Sequence, residues 1–266
     1  MTYTPRRWIG LGLGAALLGT TSLAACGGPT EPVHANAPKP APAATPAAVS
    51  GEGGEGGGES GMAAMAHPDM QTLPVDKRIA FMSGHVAAGL ALYRAGAPDQ
   101  AARHLLHPVS ETHAAERAGI DALGFDGPLF VKLSEDLAAG KSAEEVEPEL
   151  AAADANIKLL QQNAASDPVG QIDFLMTTCI NEYKVGVVDG AIVEAGEYQD
   201  AYGFAVVARD IAKRMDNPGA EQALMELELL VRMWPNNGPL ADSIPAPVSE
   251  IAAQVSRVKL ELSSLG

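Results

Sequence analysis

Aromatic residues are scarce in this 266-residue chain, and cysteine is scarcer still. Phe, Trp and Tyr together make up 5% of it, while Ala is abundant. Strands favour β-branched and aromatic side chains, so this deficit argues against a β-sandwich and for closely packed helices. The two cysteines, Cys26 and Cys179, are too few for a disulfide framework or a Cys-based zinc site. No Cys-x-x-Cys-His run occurs, which excludes covalently attached c-type haem. Basic residues are also few. Lys and Arg number 18 against 33 Asp and Glu, for a net charge of −15, and no basic cluster offers a surface to nucleic acid. Nucleophile motifs and phosphate-cradling glycine loops are missing as well, so no enzyme class is indicated.

The one sustained apolar run, residues 8–19, is too short and too rich in glycine to span a membrane. Arg6 and Arg7 precede it, and it leads to Leu23-Ala24-Ala25-Cys26. That order looks like a bacterial lipobox, in which the cysteine is acylated and becomes the first mature residue; the alternative is an ordinary signal peptide with a chance cysteine. The resemblance implies a signal peptide over 1–25 and a palmitate-type anchor on Cys26. It also implies a protein tethered by lipid to the periplasmic side of the cell envelope. Gly27 is not the Asp that favours inner-membrane retention, which points to the outer membrane. With Cys26 consumed, Cys179 has no partner, and its apolar surroundings in 174–180 mark it as a buried, inert thiol.

Residues 26–73 read as a tether. Pro and Ala alternate through 27–50, and GEGGEGGGESG at 51–61 has no apolar side chain to bury. Met62, Met65, His67, Asp69 and Met70 follow, either as soft donors for copper or as a spacer. From Pro74 onward the pattern becomes helical. Nine helices are expected, over 75–95, 99–107, 110–123, 128–139, 142–165, 167–188, 194–215, 219–233 and 247–265. An Asp189-Gly190 turn and a brief extended stretch at 191–193 interrupt them. The predicted fold of 74–266 is all-α, as one antiparallel helical bundle or as two stacked bundles over 74–165 and 166–266.

Four of the six histidines fall within 85–113. His104 and His107 are three apart and share a helix face, and Glu111 lies four beyond His107. His85 sits on the preceding helix, which a tight Gly96-Ala97-Pro98 connection folds back against this segment. Imidazole with carboxylate suits iron, zinc or copper, so His85, His104, His107 and Glu111 are candidate metal ligands. The competing reading makes His85 a satisfied core residue and His107 a helix end before Pro108.

A second constellation runs from Asn181 to Phe204. Glu182 and Tyr183 precede the Asp189-Gly190 turn, and Glu197, Tyr198, Gln199 and Asp200 follow it. Gly186, Ala201 and Gly203 allow the two helices to approach closely, and Glu182, Glu197 and Asp200 offer oxygen ligands. On the alternative reading, the tyrosines are core and the acids are solvated. The stretch from Glu182 to Phe204 resembles the periplasmic helical segment of some bacterial high-affinity iron permeases, in which Tyr, Val-x-Gly-x-Val and Glu-Tyr recur in that order. The stretch GHVAAGLALYRAG, followed by HLLHPVSETH, is similar to uncharacterised proteobacterial lipoproteins loosely related to imelysin-like helical proteins. Those proteins carry Gly-x-His-x-x-Glu, whereas this chain has Gly84-His85-Val86-Ala87-Ala88.

Two functions are open at this point. One is a lipid-anchored periplasmic helical protein that binds a transition metal, iron by the resemblance, and assists its uptake or storage beside an envelope transport protein. The other is a metal-free envelope scaffold that holds a partner protein through its acidic surface.

Overall fold

The computed structural model describes residues 72–110, 117 and 119–265, all within the compact unit Gly53–Gly266. Cys26, Glu111, the leader and most of the expected tether lie outside the described residues.

Local signals account for most helix starts. Helix α1 (Val75–Arg94) follows Pro74, whose extended backbone ends any earlier turn. Helix α2 (Pro98–Leu106) opens on a proline at its first position and passes into a 3-10 turn at His107–Val109. In α3 (Gly127–Ala138) the Asp126 carboxylate accepts from the Leu129 amide at 3.3 Å. Helix α4 (Ala143–Asn163) opens with the expected capping box of Ser142 and Glu145. In α5 (Pro168–Gly186) the Asp167 carboxylate accepts from the Gly170 amide at 3.0 Å. A two-residue turn then carries Asp189 and Gly190 at positive φ and pairs β1 (Val187–Val188) antiparallel with β2 (Ala191–Ile192). Helices α6 (Ala195–Lys213), α7 (Ala220–Val231) and α8 (Val248–Leu262) complete the chain.

The fold is all-α, as expected, apart from this minimal ribbon. The expected helix over 110–123 does not form in the part that is described. Residues 119–124 make a turn and a single 3-10 turn at Asp121–Leu123, with Gly119 and Gly124 both in the left-handed region. Two glycines at such φ values end helical propagation on either side.

The eight α-helices of the described residues close into two rings. Helices α1 to α4 pack each on the next, and α4 returns to α1; α5 to α8 do the same, with α8 returning to α5. Each ring is a four-helix bundle with its own apolar core. The two bundles meet through α1, which lies against α6 and α5. Fourteen of the twenty residues of α1 are buried as a result. A helix buried on nearly every side has to be central, and α1 is the shared wall. Ile79, Met82, Val86 and Leu90 belong to the first core, whereas Ala80 and Phe81 belong to the second.

The α1–α6 contact is close because side chains are missing there. A methyl group on Gly203 would overlap the carbonyl oxygen of Gly84, and one on Gly84 would enter the ring of Phe204. Gly186 does the same for the α5–α6 hairpin, where an added Cβ would lie 2.6 Å from the Tyr198 backbone nitrogen. Among the described residues, no helix is long and apolar enough to cross a membrane.

Candidate metal centre between the bundles

Where α1 and α6 touch, polar side chains replace the apolar core. Glu197 to Ala205 form an unbroken run of buried residues in α6. Asp200 points from it toward the first bundle and receives two imidazoles on a single oxygen. His85 Nδ1 from α1 lies 2.7 Å from Asp200 Oδ1, and His104 Nδ1 from α2 lies 2.9 Å from the same atom. All three residues are buried, and one ligand atom from each falls within 4.8 Å of the others. The other ring nitrogen of His104 is 2.8 Å from Gln199 Oε1, and the Gln199 amide nitrogen donates to Gln100 Oε1. That second contact turns the Gln199 carbonyl toward His104. Both His104 nitrogens therefore face acceptors, which is the pattern of an imidazolium.

The electrostatics agree with this network. Burial would raise the Asp200 carboxyl, but the charges of His85 and His104 and their hydrogen bonds hold it well below the usual carboxylate range. Burial opposes a charge on His104 in the same way. The Asp200 carboxylate, the Gln199 contact and the nearby Glu197 charge outweigh that penalty and lift His104 above the ordinary histidine value. A buried anion between two buried rings is thus compensated on both sides.

Glu182 from α5 extends the polar layer. It is buried, and its carboxyl is hydrogen-bonded to Glu197. Burial, this hydrogen bond and the charges of Glu197 and Asp200 all push Glu182 well above the usual carboxylate range. Glu182 is thereby held as the neutral acid beside Glu197. The expectation that these acids are solvated is overturned, since Glu182, Glu197 and Asp200 are all buried. Their tyrosine neighbours are core, as that reading had it. Tyr183 and Tyr198 pack against Trp234, and the Tyr183 hydroxyl donates to the Ala246 carbonyl at 2.7 Å.

Each candidate residue can now be placed. His85 and His104 are brought together as donors, although they sit on different helices. His107 lies in the 3-10 turn with its ring centroid 3.6 Å from that of His85 and the two planes tilted by 35°, so the rings lie against each other. Glu182 and Glu197 pair with each other and flank Asp200. Glu111 is outside the described residues. Cys179 is fully buried, and burial pushes its thiol up, which keeps it protonated and inert.

Gln199 carried no signal in the sequence, because an amide that orients a histidine is visible only once the histidine has arrived. The larger omission was the joining of the two constellations. The histidines and the acids read as separate sites, yet they form one layer. A clue was available in α6, where acids sit inside a run of small and aromatic residues with no solvent face.

Two four-helix bundles with a buried histidine–carboxylate cluster at their junction define the class of this molecule. The family model of the iron permease-associated 4-helix bundle domain matches residues 158–265. This stretch covers the end of α4 and all of α5 to α8, and so takes in the second bundle. It includes the whole segment from Glu182 to Phe204. The matched stretch supplies Asp200, Glu197 and Glu182, while His85 and His104 lie outside it. No curated protein and no solved structure matches the chain.

Proposed function

We propose that this chain is a lipid-anchored protein of the cell envelope that binds a transition metal ion between its two bundles and serves iron uptake or storage. The observation that carries the reading is the convergence of His85, His104 and Asp200. Two imidazoles and one carboxylate form a donor set that suits ferrous iron, and zinc or copper fits the same atoms less selectively. The similarity of 158–265 to an iron permease-associated domain favours iron and an envelope transport protein as partner.

In this reading each side chain has a task. His85, His104 and Asp200 are the ligands. Gln199 orients His104 from behind, and the His107 ring packs against that of His85. Glu182 and Glu197 line the site with oxygen, and the proton that Glu182 holds is exchangeable for positive charge. Glu111, four residues beyond His107, remains a further candidate oxygen donor. Cys26 carries the anchor that holds the protein at the membrane, with the stretch to residue 73 as its spacer.

Loading must displace the Nδ1 protons of His85 and His104, which now point at Asp200. Because His104 is raised above its ordinary value, affinity falls as pH drops through its titration and recovers above it. The test is elemental analysis of the full chain, purified from the envelope in detergent without chelators. About one iron per chain is expected. Asp200→Asn and His104→Gln should each lose it while keeping the helical circular dichroism. A folded native chain that carries no metal and takes up no added ferrous iron overturns the reading and leaves the partner-holding scaffold in its place.

A further inference from the structure

A second polar site lies on the same junction, between the start of α1 and the end of α6. The cleft there has a volume of about 340 Å³ and is walled by α4 from the first bundle and by α5 and α6 from the second. A volume of this size is enough for a small organic ligand.

Its charge runs against that of the chain. The whole sequence carries −15, yet the lining includes two cations, Lys158 and Arg214, and no carboxylate. The cations come from opposite bundles. Arg214 ends α6 and donates to Gln161 Oε1 of α4 at 3.3 Å, so the guanidinium is directed across the cleft. Gln161 is itself fixed, because its amide nitrogen donates to Ser83 Oγ at 3.0 Å. Among the described residues Lys158 pairs only with Asp154 one turn away, and both side chains are substantially in water, at 60% and 40% exposure. An exposed pair of this kind contributes little and yields readily to a better-placed anion. Gln162 adds an amide beside the cations.

The floor is different in character. Ala80 and Ile211 present buried carbon, and Met215 adds a flexible thioether. A cleft with cations at the rim and hydrocarbon beneath fits a ligand with carboxylates on a short carbon skeleton. Inorganic phosphate would leave the floor unused. A guanidinium fork accepts carboxylate and phosphate alike, so the apolar floor carries the preference.

We infer that this inter-bundle cleft binds a small organic di- or tricarboxylate, held by Arg214 and Lys158 with its carbon skeleton on Ile211 and Ala80. The site stands apart from the histidine–carboxylate cluster and does not rest on the metal reading. Occupancy would tie α4 to α6 and so clamp the two bundles.

The experiment is calorimetric titration of the full chain in detergent with propane-1,2,3-tricarboxylate, which chelates metal weakly, and separately with inorganic phosphate. Saturable one-to-one binding of the tricarboxylate is expected, with at least tenfold loss of affinity in the Lys158→Ala, Arg214→Ala double variant. Both side chains reach solvent, and the fold of the variant is checked by its thermal midpoint. Phosphate should bind at least tenfold more weakly. The proposal is overturned if the tricarboxylate shows no saturable binding, if the double variant binds it as well as the native chain does, or if phosphate binds equally well.

Discussion

The two bundles of this chain share a helix count, a ring connectivity and one wall, yet they are filled differently. In the first bundle the buried core is aliphatic, with Leu105, Leu133, Leu137 and Leu160 around Ile79 and Met82, and Phe130 as its one fully buried aromatic side chain. The second gathers Tyr183, Tyr198, Tyr202, Phe204 and Trp234, although aromatics are only 5% of the sequence. Rows of alanine and glycine fill the space between them. Aliphatic side chains interdigitate and tolerate small changes of shape. Rings and bare backbone hold one geometry, which is what a set of ligands needs. The first bundle supplies a firm wall, and the second sets distances.

Four substitutions test that contrast. The largest effect is expected for Asp200→Ala, which leaves two buried imidazoles without their acceptor and should cost about 3–5 kcal/mol of unfolding free energy. Urea unfolding reads it directly, and a loss below about 1 kcal/mol would show that the cluster does not hold the bundles together.

Next comes a matched pair. Gly203→Ala adds one methyl against the Gly84 carbonyl and should cost about 3 kcal/mol, whereas Ile79→Val removes one from the aliphatic core and should cost about 1 kcal/mol. Equal losses would erase the distinction between the two packings.

The last effect has the opposite sign. Glu182 is raised above its unfolded value, so its contribution to stability is complete below the unfolded carboxyl titration near pH 4.5 and is lost as pH rises toward the folded one. Glu182→Gln keeps the neutral shape and has no such loss. The variant should therefore gain on the native chain by about 1–3 kcal/mol between pH 5 and pH 8, read as the difference in urea midpoints. A difference that stays flat over that range would mean that Glu182 ionises freely in the folded chain.

Much of the architecture was legible in the residue order, for a physical reason. Caps and stops are local, and so Asp167 with Pro168, Ser142 with Glu145, and the Asp189-Gly190 turn announced their elements unaided. The small residues Gly186 and Gly203 likewise marked close approaches that the structure contains. In the described part of the helix expected over 110–123, Gly119 and the following Gly124 take left-handed φ values that stop helical propagation. At the cluster, the residue types were readable and their meeting was not. His85 and Asp200 are 115 positions apart, and no periodicity within one helix reports what lies across from another. Solvated acids and buried acids have the same spelling; only the α1–α6 packing tells them apart.

The position of the cluster along the chain has a consequence for how the molecule is made. Histidines at 85 and 104 emerge early, while their shared acceptor arrives 115 and 96 residues after them. Closing such a distance is slow relative to forming any of the helices, so the junction is the last thing to be completed. A nascent or truncated chain that ends before α6 owns the imidazoles but no carboxylate to gather them. On the proposed metal reading, retention of the ion would serve as a stopwatch for folding, starting only when the second bundle has docked on the first.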